Sequence, residues 1–167
     1  RSYLYHVSVA DAIERRGNDA LDAVHLELDQ MLRKGVFDFI DPSEEYDTKT
    51  IKSFMFMKEK FNADGTYQKL KARLVAAGNM QAQVEQVDVS APTAAVTTLF
   101  TIAAIAAANA HTVISVDITG AYLNADIDEH LPMVLDKTTS RILVGMKPDL
   151  KKFLGRRGSI RVRLLKA

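Results

Sequence analysis

The sequence predicts an α+β fold, and three observations carry that reading. Residues 18–34 repeat apolar side chains at helical spacing. Residues 51–61 and 66–78 read as two strands around an Asn-Ala-Asp-Gly turn. The elements that follow mix helix and strand without regular βαβ alternation, which argues against a doubly wound sheet.

In chain order, residues 9–16 read as a short helix that stops at Gly17. Asn18 is the expected N-cap of a longer helix to about Lys34. Asp19 and Asp22 lie in its first turn, Leu21, Val24, Leu28, Met31 and Leu32 on one face, and Gly35 at its end. Residues 36–40 read as a strand and 41–45 as an exposed loop. The hairpin, IKSFMFMKEKF-NADG-TYQKLKARLVAAG, occupies residues 51–78. On its second strand Lys69, Lys71 and Arg73 share one face, and Leu70, Ala72 and Leu74 the other, while Lys58 and Lys60 sit near the turn on the first. Two readings of these cations stand: an edge strand kept soluble by charge, or a cationic finger that grips phosphates.

Residues 78–90 read as polar loop. Ser90 or Thr93, with Pro92, opens an alanine-rich helix to about Asn109, whose near-uniform apolarity predicts burial on several sides. Residues 112–117 and 131–135 read as strands, 138–146 as a helix, and 159–165 as a strand of alternating arginines.

Composition narrows the function classes. With 22 basic and 21 acidic residues the net charge is +1, so any attraction to nucleic acid or membrane must be local. The absence of cysteine excludes disulfides and thiolate metal sites and fits a reducing compartment. The opening RSYLYHVSVADA lacks the apolar core of a signal peptide. The apolar run at residues 94–110 is at the short limit for a membrane span and is rich in alanine and threonine, so it reads as a buried helix. A start on Arg1 and a stop on RVRLLKA read as an excerpt from a longer chain.

No P-loop, HExxH, GxSxG or dinucleotide fingerprint occurs, and His6, His25, His111 and His130 share no metal-ligand spacing. Asp88 and Asp136 read as loop or turn carboxylates. The stretch VISVDITGAYLNADI (residues 113–127) is different. Asp117 ends an apolar strand, where a carboxylate suits one-sided Mg²⁺ ligation. The small Thr119-Gly120-Ala121 turn lets amides approach an anion such as a triphosphate, and Tyr122 follows where it could lie under a sugar. A strand-end Asx turn with a core tyrosine is the alternative.

Taken together, these segments resemble the reverse transcriptase of copia-type retrotransposons. The resemblance rests on Lys60 with Asp64-Gly65, on Lys71-Ala72-Arg73-Leu74-Val75-Ala76, on Ala91-Pro92, and on Asp117-Ile118 with Ala121-Tyr122-Leu123-Asn124, in the family's order and spacing. It covers roughly residues 20–167. It implies the fingers and partial palm of a right-hand polymerase, with a mixed, mostly antiparallel sheet and packed helices. The parts would be a lead-in helix (1–17), a fingers-like region (18–92) with the hairpin at 51–78, and a partial palm (93–167) with the first catalytic strand at 112–118.

By the same resemblance, Asp117 is the first catalytic aspartate and, with the Ile118 carbonyl, a ligand of two Mg²⁺ ions. Tyr122 is the steric gate against a 2′-hydroxyl. Gly120 and Ala121 present amides to the incoming dNTP, and Lys71 and Arg73 meet the same triphosphate. Lys58, Lys60 and Lys69 face nucleic acid, as would Arg156, Arg157, Arg161 and Arg163, for which a solvated strand edge is the alternative. The implied partners are an RNA/DNA primer–template, dNTPs and the rest of a Pol polyprotein, with no membrane. The implied setting is intracellular: cytoplasmic virus-like particles, with the nucleus as a second place.

One element of the family is missing, because no two adjacent aspartates occur in the chain. A single aspartate cannot clamp two Mg²⁺ ions, so the chain alone is expected to show little or no polymerase activity, exposed apolar surface and marginal stability. The competing expectations are a decayed or domesticated remnant that binds nucleic acid or protein, and a plain α+β interaction domain.

Overall fold

The computed structural model describes residues 7–45, 50–77 and 93–166. The chain divides into two compact units, residues 1–82 with 122–167, and residues 83–121. The expected polar loop at 78–90 and its helix-opening Ser90 and Pro92 lie outside the described residues.

The first unit is an α+β fold around a six-stranded sheet. Its elements are β1 (Val7–Ser8), α1 (Val9–Arg16), α2 (Asn18–Arg33), β2 (Phe37–Phe39), β3 (Ile51–Phe61) and β4 (Tyr67–Ala76). After the second unit come β5 (Asp126–Leu135), a helix (Lys137–Met146), a 3₁₀ turn (Pro148–Phe153) and β6 (Ile160–Lys166). Strand order is β1-β3-β5-β6-β2, with β4 on the other side of β3. Every pairing is antiparallel except β3 with β5, so the sheet is mixed and mostly antiparallel, as expected.

Local chemistry explains the helices. Ser8 caps α1 by accepting from the Asp11 N–H at 3.2 Å. Gly17, at φ +52, ends α1 and also precedes α2. The expected N-cap, Asn18, is instead the first helical residue, and no side chain caps α2. One residue turns the chain between two helices through a backbone region that favours glycine, and so takes the place of a capping side chain. Helix α2 then buries Ala20, Ala23, Val24, Leu28 and Met31, in a core continuous with Met55, Met57 and Ala72 of the hairpin.

The half beyond β5 is held by polar groups as much as by packing. Asp136, expected as a turn carboxylate, caps the helix at Lys137–Met146. One of its oxygens accepts from the Thr138 and Thr139 N–H groups at 2.9 and 3.0 Å, and the other from the Thr139 hydroxyl at 2.6 Å. Fully buried Ser140 donates to the Leu135 carbonyl at 3.2 Å and accepts from the Ile160 N–H at 3.0 Å. It thereby ties the end of β5 to the start of β6. Strand β5 begins five residues earlier than expected, and its register with β6 is irregular between Asp126 and Leu131. A polar Asp-Ile-Asp-Glu-His stretch carries no alternation to reveal it.

The arginines of β6 have partners within the fold. One Arg161 nitrogen donates to the carbonyls of Asp41, Pro42 and Glu44 at 3.2, 3.1 and 2.7 Å. Arg163 pairs with Asp38 at 2.7 Å. Both arginines hold a loop and an edge strand in the fold.

In the second unit, α3 (Val96–Ala108) starts three residues after Thr93 and has no side-chain cap. Its expected burial is overturned: Leu99 is 58% exposed, Phe100 72% and Ile105 55%, and of its residues Ala106 alone is buried. Apolarity all round shows what a helix is suited to, and it does not by itself supply a covering surface. The expected strand at 112–117 is also absent, because residues 111–118 join no ladder. An extended segment becomes a strand only where another backbone accepts its N–H groups, and this unit has no strand among its described residues. Among the described residues no helix is long and apolar enough to cross a membrane.

Ser140→Ala removes the acceptor of the buried Ile160 N–H, so we expect a loss of about 1–3 kcal/mol. Urea unfolding of the parent and variant chains measures it, and a midpoint unchanged within error would remove Ser140 as the link between β5 and β6.

Candidate nucleic-acid interface

The two faces of the hairpin treat charge in opposite ways. Its turn is tightly built. The Asn62 N–H donates to the Thr66 carbonyl at 2.8 Å, and the Gly65 N–H, at φ +83, to the Asn62 carbonyl at 3.0 Å. Asp64 accepts from the Thr66 N–H at 2.9 Å and from its hydroxyl at 2.6 Å. These bonds to Thr66, hydroxyl first, hold the Asp64 carboxyl below its ordinary range. A carboxyl lowered in this way stabilises the turn above its unfolded pKa, and the contribution is lost as pH falls through its folded value.

The inner face carries Met55, Met57 and Ala72, all buried. Charges close to it are paired. Arg16 bonds to Glu59 and lies 4.8 Å over the Tyr67 ring, and the Leu74 N–H donates to Glu27 of α2 at 3.2 Å. Burial, followed by the Asp19 carboxylate, raises the Tyr67 hydroxyl above its usual range.

The outer face has no such compensation. Antiparallel register sets Lys58 opposite Lys71, Lys60 opposite Lys69, and Phe56 opposite Arg73. Lys58, Lys60, Lys69, Lys71 and Arg73 are all exposed. None forms an ion pair with a carboxylate among the described residues. Closer to the base of the hairpin the same face turns aromatic, with Phe54 half exposed and its ring 6.4 Å from that of Phe56. Like charges directly opposite each other destabilise a strand pair. Two such pairs at the tip therefore make a local field that suits a polyanion, in a chain whose net charge is only +1.

That repulsion has a measurable sign. Lys71→Glu places an anion opposite Lys58 and should stabilise the chain by about 0.2–1 kcal/mol, an effect that shrinks as salt screens the pair. Thermal melting at low and high salt reads both. A destabilised variant at low salt would contradict the opposed-cation description.

The other predicted positions lie elsewhere. Asp117, Ile118, Gly120 and Ala121 belong to the second unit, whereas Tyr122 opens a 3₁₀ turn (Tyr122–Asn124) of the first. Asp117 is exposed, and Ile118 is 65% exposed. Thr119 and Gly120 form a turn with Gly120 at φ +61. Tyr122 is 75% exposed, so it is no core tyrosine. The adjacent Leu123 packs on the core, and the Asn124 side-chain oxygen Oδ1 accepts from Lys34 Nζ at 3.0 Å. Register thus gathers the five hairpin cations, while the Asp117 segment stands in a separate unit.

Among the described residues no group of three or more histidine, aspartate or glutamate side chains could hold a metal ion. One carboxylate and one carbonyl do not suffice for two Mg²⁺ ions, which share bridging carboxylates in two-metal sites.

Sequence reasoning found the cations of the outer face but missed their pairing across it, because register is invisible until both strands are aligned. It also missed Phe54 and Phe56, whose alternation with Met55 and Met57 was the available signal.

Neither a curated protein nor a solved structure matches the chain. A family model described as reverse transcriptase (RNA-dependent DNA polymerase) matches residues 35–142. That span includes the whole hairpin and the Asp117 segment, and makes up most of the sequence. The chain belongs to the reverse transcriptase (RNA-dependent DNA polymerase) family.

Proposed function

We propose that this chain is the fingers and first palm segment of a copia-type RNA-directed DNA polymerase, and that the outer face of its hairpin meets nucleic acid and the incoming dNTP. The observation that carries the proposal is the pair of opposed lysines, Lys58 with Lys71 and Lys60 with Lys69, beside Arg73 on one open face. Lys58, Lys60 and Lys69 would track phosphates along the strand. Lys71 and Arg73 would neutralise the triphosphate as charge moves in the reaction.

In this reading Asp117 is the first metal-binding carboxylate, with the Ile118 carbonyl next to it. Gly120 and Ala121 offer amides to the dNTP, and Tyr122 tests the sugar. Asp117 and the Ile118 carbonyl would hold Mg²⁺ there, and the metal would supply charge neutralisation for phosphoryl transfer. The remaining carboxylates, and the backbone partner that would make residues 111–118 a strand, would come from Pol sequence beyond these residues. The setting that accompanies this reading is cytoplasmic virus-like particles and the nucleus.

The 167-residue chain should bind a labelled primer–template and incorporate no nucleotide. Lys58→Gln/Lys60→Gln/Lys69→Gln should reduce the dependence of log affinity on log salt by about 0.7–0.9 for each phosphate that is no longer neutralised. An unchanged slope would leave the hairpin as a merely soluble edge. In a version extended to include an Asp-Asp hairpin, Asp117→Asn should abolish primer extension and Tyr122→Ala should admit ribonucleotides. Extension by the Asp117→Asn enzyme would refute the catalytic assignment.

A second reading is a domesticated remnant that binds nucleic acid without catalysis. It is favoured by one contrast: the cationic hairpin is fully formed, while the segment bearing Asp117 joins no ladder. The extended version separates the two, since a remnant would bind primer–template and still fail to extend it.

A further inference from the structure

A second cationic surface lies outside the part of the chain matched by the family model. Residues 147–157 carry five cations, Lys147, Lys151, Lys152, Arg156 and Arg157, against one acid, Asp149. In a chain whose net charge is only +1, this is a concentrated excess. All five are exposed, and none pairs with a carboxylate among the described residues. Arg161 and Arg163 have partners within the fold, whereas Arg156 and Arg157 pair with no carboxylate among the described residues.

The backbone beneath these cations is firmly held. The 3₁₀ turn at Pro148–Phe153 is anchored by buried Leu150 and by Phe153, whose ring stacks on Phe39 at 5.3 Å. Lys152 Nζ lies 5.0 Å over the Phe153 ring. The chain then bridges Leu154 to Ile160 and closes a tight turn. The Gly155 N–H donates to the Ser159 carbonyl at 3.0 Å, and the Gly158 N–H, at φ +74, to the Gly155 carbonyl at 2.9 Å. Arg156 and Arg157 are the two central residues of that turn. A Cβ on Gly155 would lie 3.2 Å from the Ser159 oxygen, so its small size helps the turn to close. An arginine pair on a closed turn, a few residues after a lysine pair on an anchored helix turn, loses little backbone freedom when it meets an anion.

We propose that Lys147, Lys151, Lys152, Arg156 and Arg157 form a second phosphate-backbone contact for nucleic acid, separate from the hairpin face. The inference rests on the reading of the chain as a nucleic-acid-binding polymerase segment. The partner is a polyanion of closely spaced phosphates, because several cations with no shaped pocket among them recognise charge density rather than one small ligand. The contact is blind to sequence and adds affinity and salt dependence.

The test is fluorescence anisotropy with a labelled duplex bearing a single-stranded overhang, from about 50 to about 200 mM salt. Three proteins are compared: the parent chain, Lys151→Gln/Lys152→Gln/Arg156→Gln/Arg157→Gln, and the hairpin triple variant. The fourfold variant should bind at least about tenfold more weakly at low salt, with its log–log slope reduced by about 3. Arg156→Gln/Arg157→Gln alone changes only the turn and should reduce the slope by about 2, even if the fourfold variant unfolds by circular dichroism. If the hairpin variant loses affinity while the turn variant binds like the parent, the second contact is refuted and the polymerase reading stands. If the parent chain binds no nucleic acid, both fail. Loss of binding to phosphatidylserine vesicles by the turn variant, with nucleic-acid binding unchanged, would assign the patch to a membrane surface and overturn the proposal.

Discussion

Everything in the first unit depends on one short parallel junction. Strand β3 meets β5 through two residue pairs only, Ile51 with Met133 and Lys52 with Val134. On one side lie the hairpin, β1 and α2; on the other, β5, β6 and β2. Without the junction these would be two antiparallel pieces. It is reinforced by apolar burial, with Ile51 at 1% exposure, Met133 at 2% and Leu135 fully buried. The Ser53 hydroxyl adds a donor to the Val134 carbonyl at 2.9 Å. A buried hydroxyl is tolerable here because its hydrogen bond is made.

With the junction in place, charge can be sorted by position. Near the core, ionic groups are consumed by structure: Arg16 with Glu59, Arg163 with Asp38, and Arg161 with three loop carbonyls. Farther out, the hairpin tip and the Arg156–Arg157 turn carry cations that answer to no carboxylate among the described residues. Surface ion pairs contribute little to stability, so leaving these groups uncompensated costs the fold little and keeps them available to an anion.

The sequence was legible wherever periodicity and punctuation agreed. Val9–Arg16, the hairpin, and the alternation of Lys69, Lys71 and Arg73 with Leu70, Ala72 and Leu74 were all readable, because each is a local pattern with a local stop. The misreadings share a cause, which is dependence on something not local. Asn18 lost the cap because Gly17 had already made the turn. The polar start of β5 at Asp126 is a strand only because β6 lies beside it. Helix α3 and residues 111–118 have the composition of buried elements, but burial and pairing need partners that composition cannot supply. For the candidate site the pattern is the same. The cations, Asp117 and Tyr122 stood out by residue type and spacing, whereas the facing of Lys58 with Lys71 required a register.

The pairing of β2 with β6 has a consequence for how the molecule is made. Strand β2 is three residues long, and its partner lies more than a hundred positions later in the chain. Arg161, which fastens the loop after β2, arrives equally late. On a ribosome the hairpin can form as soon as its two adjacent strands emerge, because closing so short a loop is fast. Phe37 and Ile51, buried in the finished fold, must wait while the apolar stretch of α3 is also emerging. The chain thus has a synthesis interval in which an unpaired sheet edge and an uncovered apolar helix coexist, the condition that favours aggregation or chaperone capture. Completion of β6 closes the sheet edge, while the apolar face of α3 stays exposed.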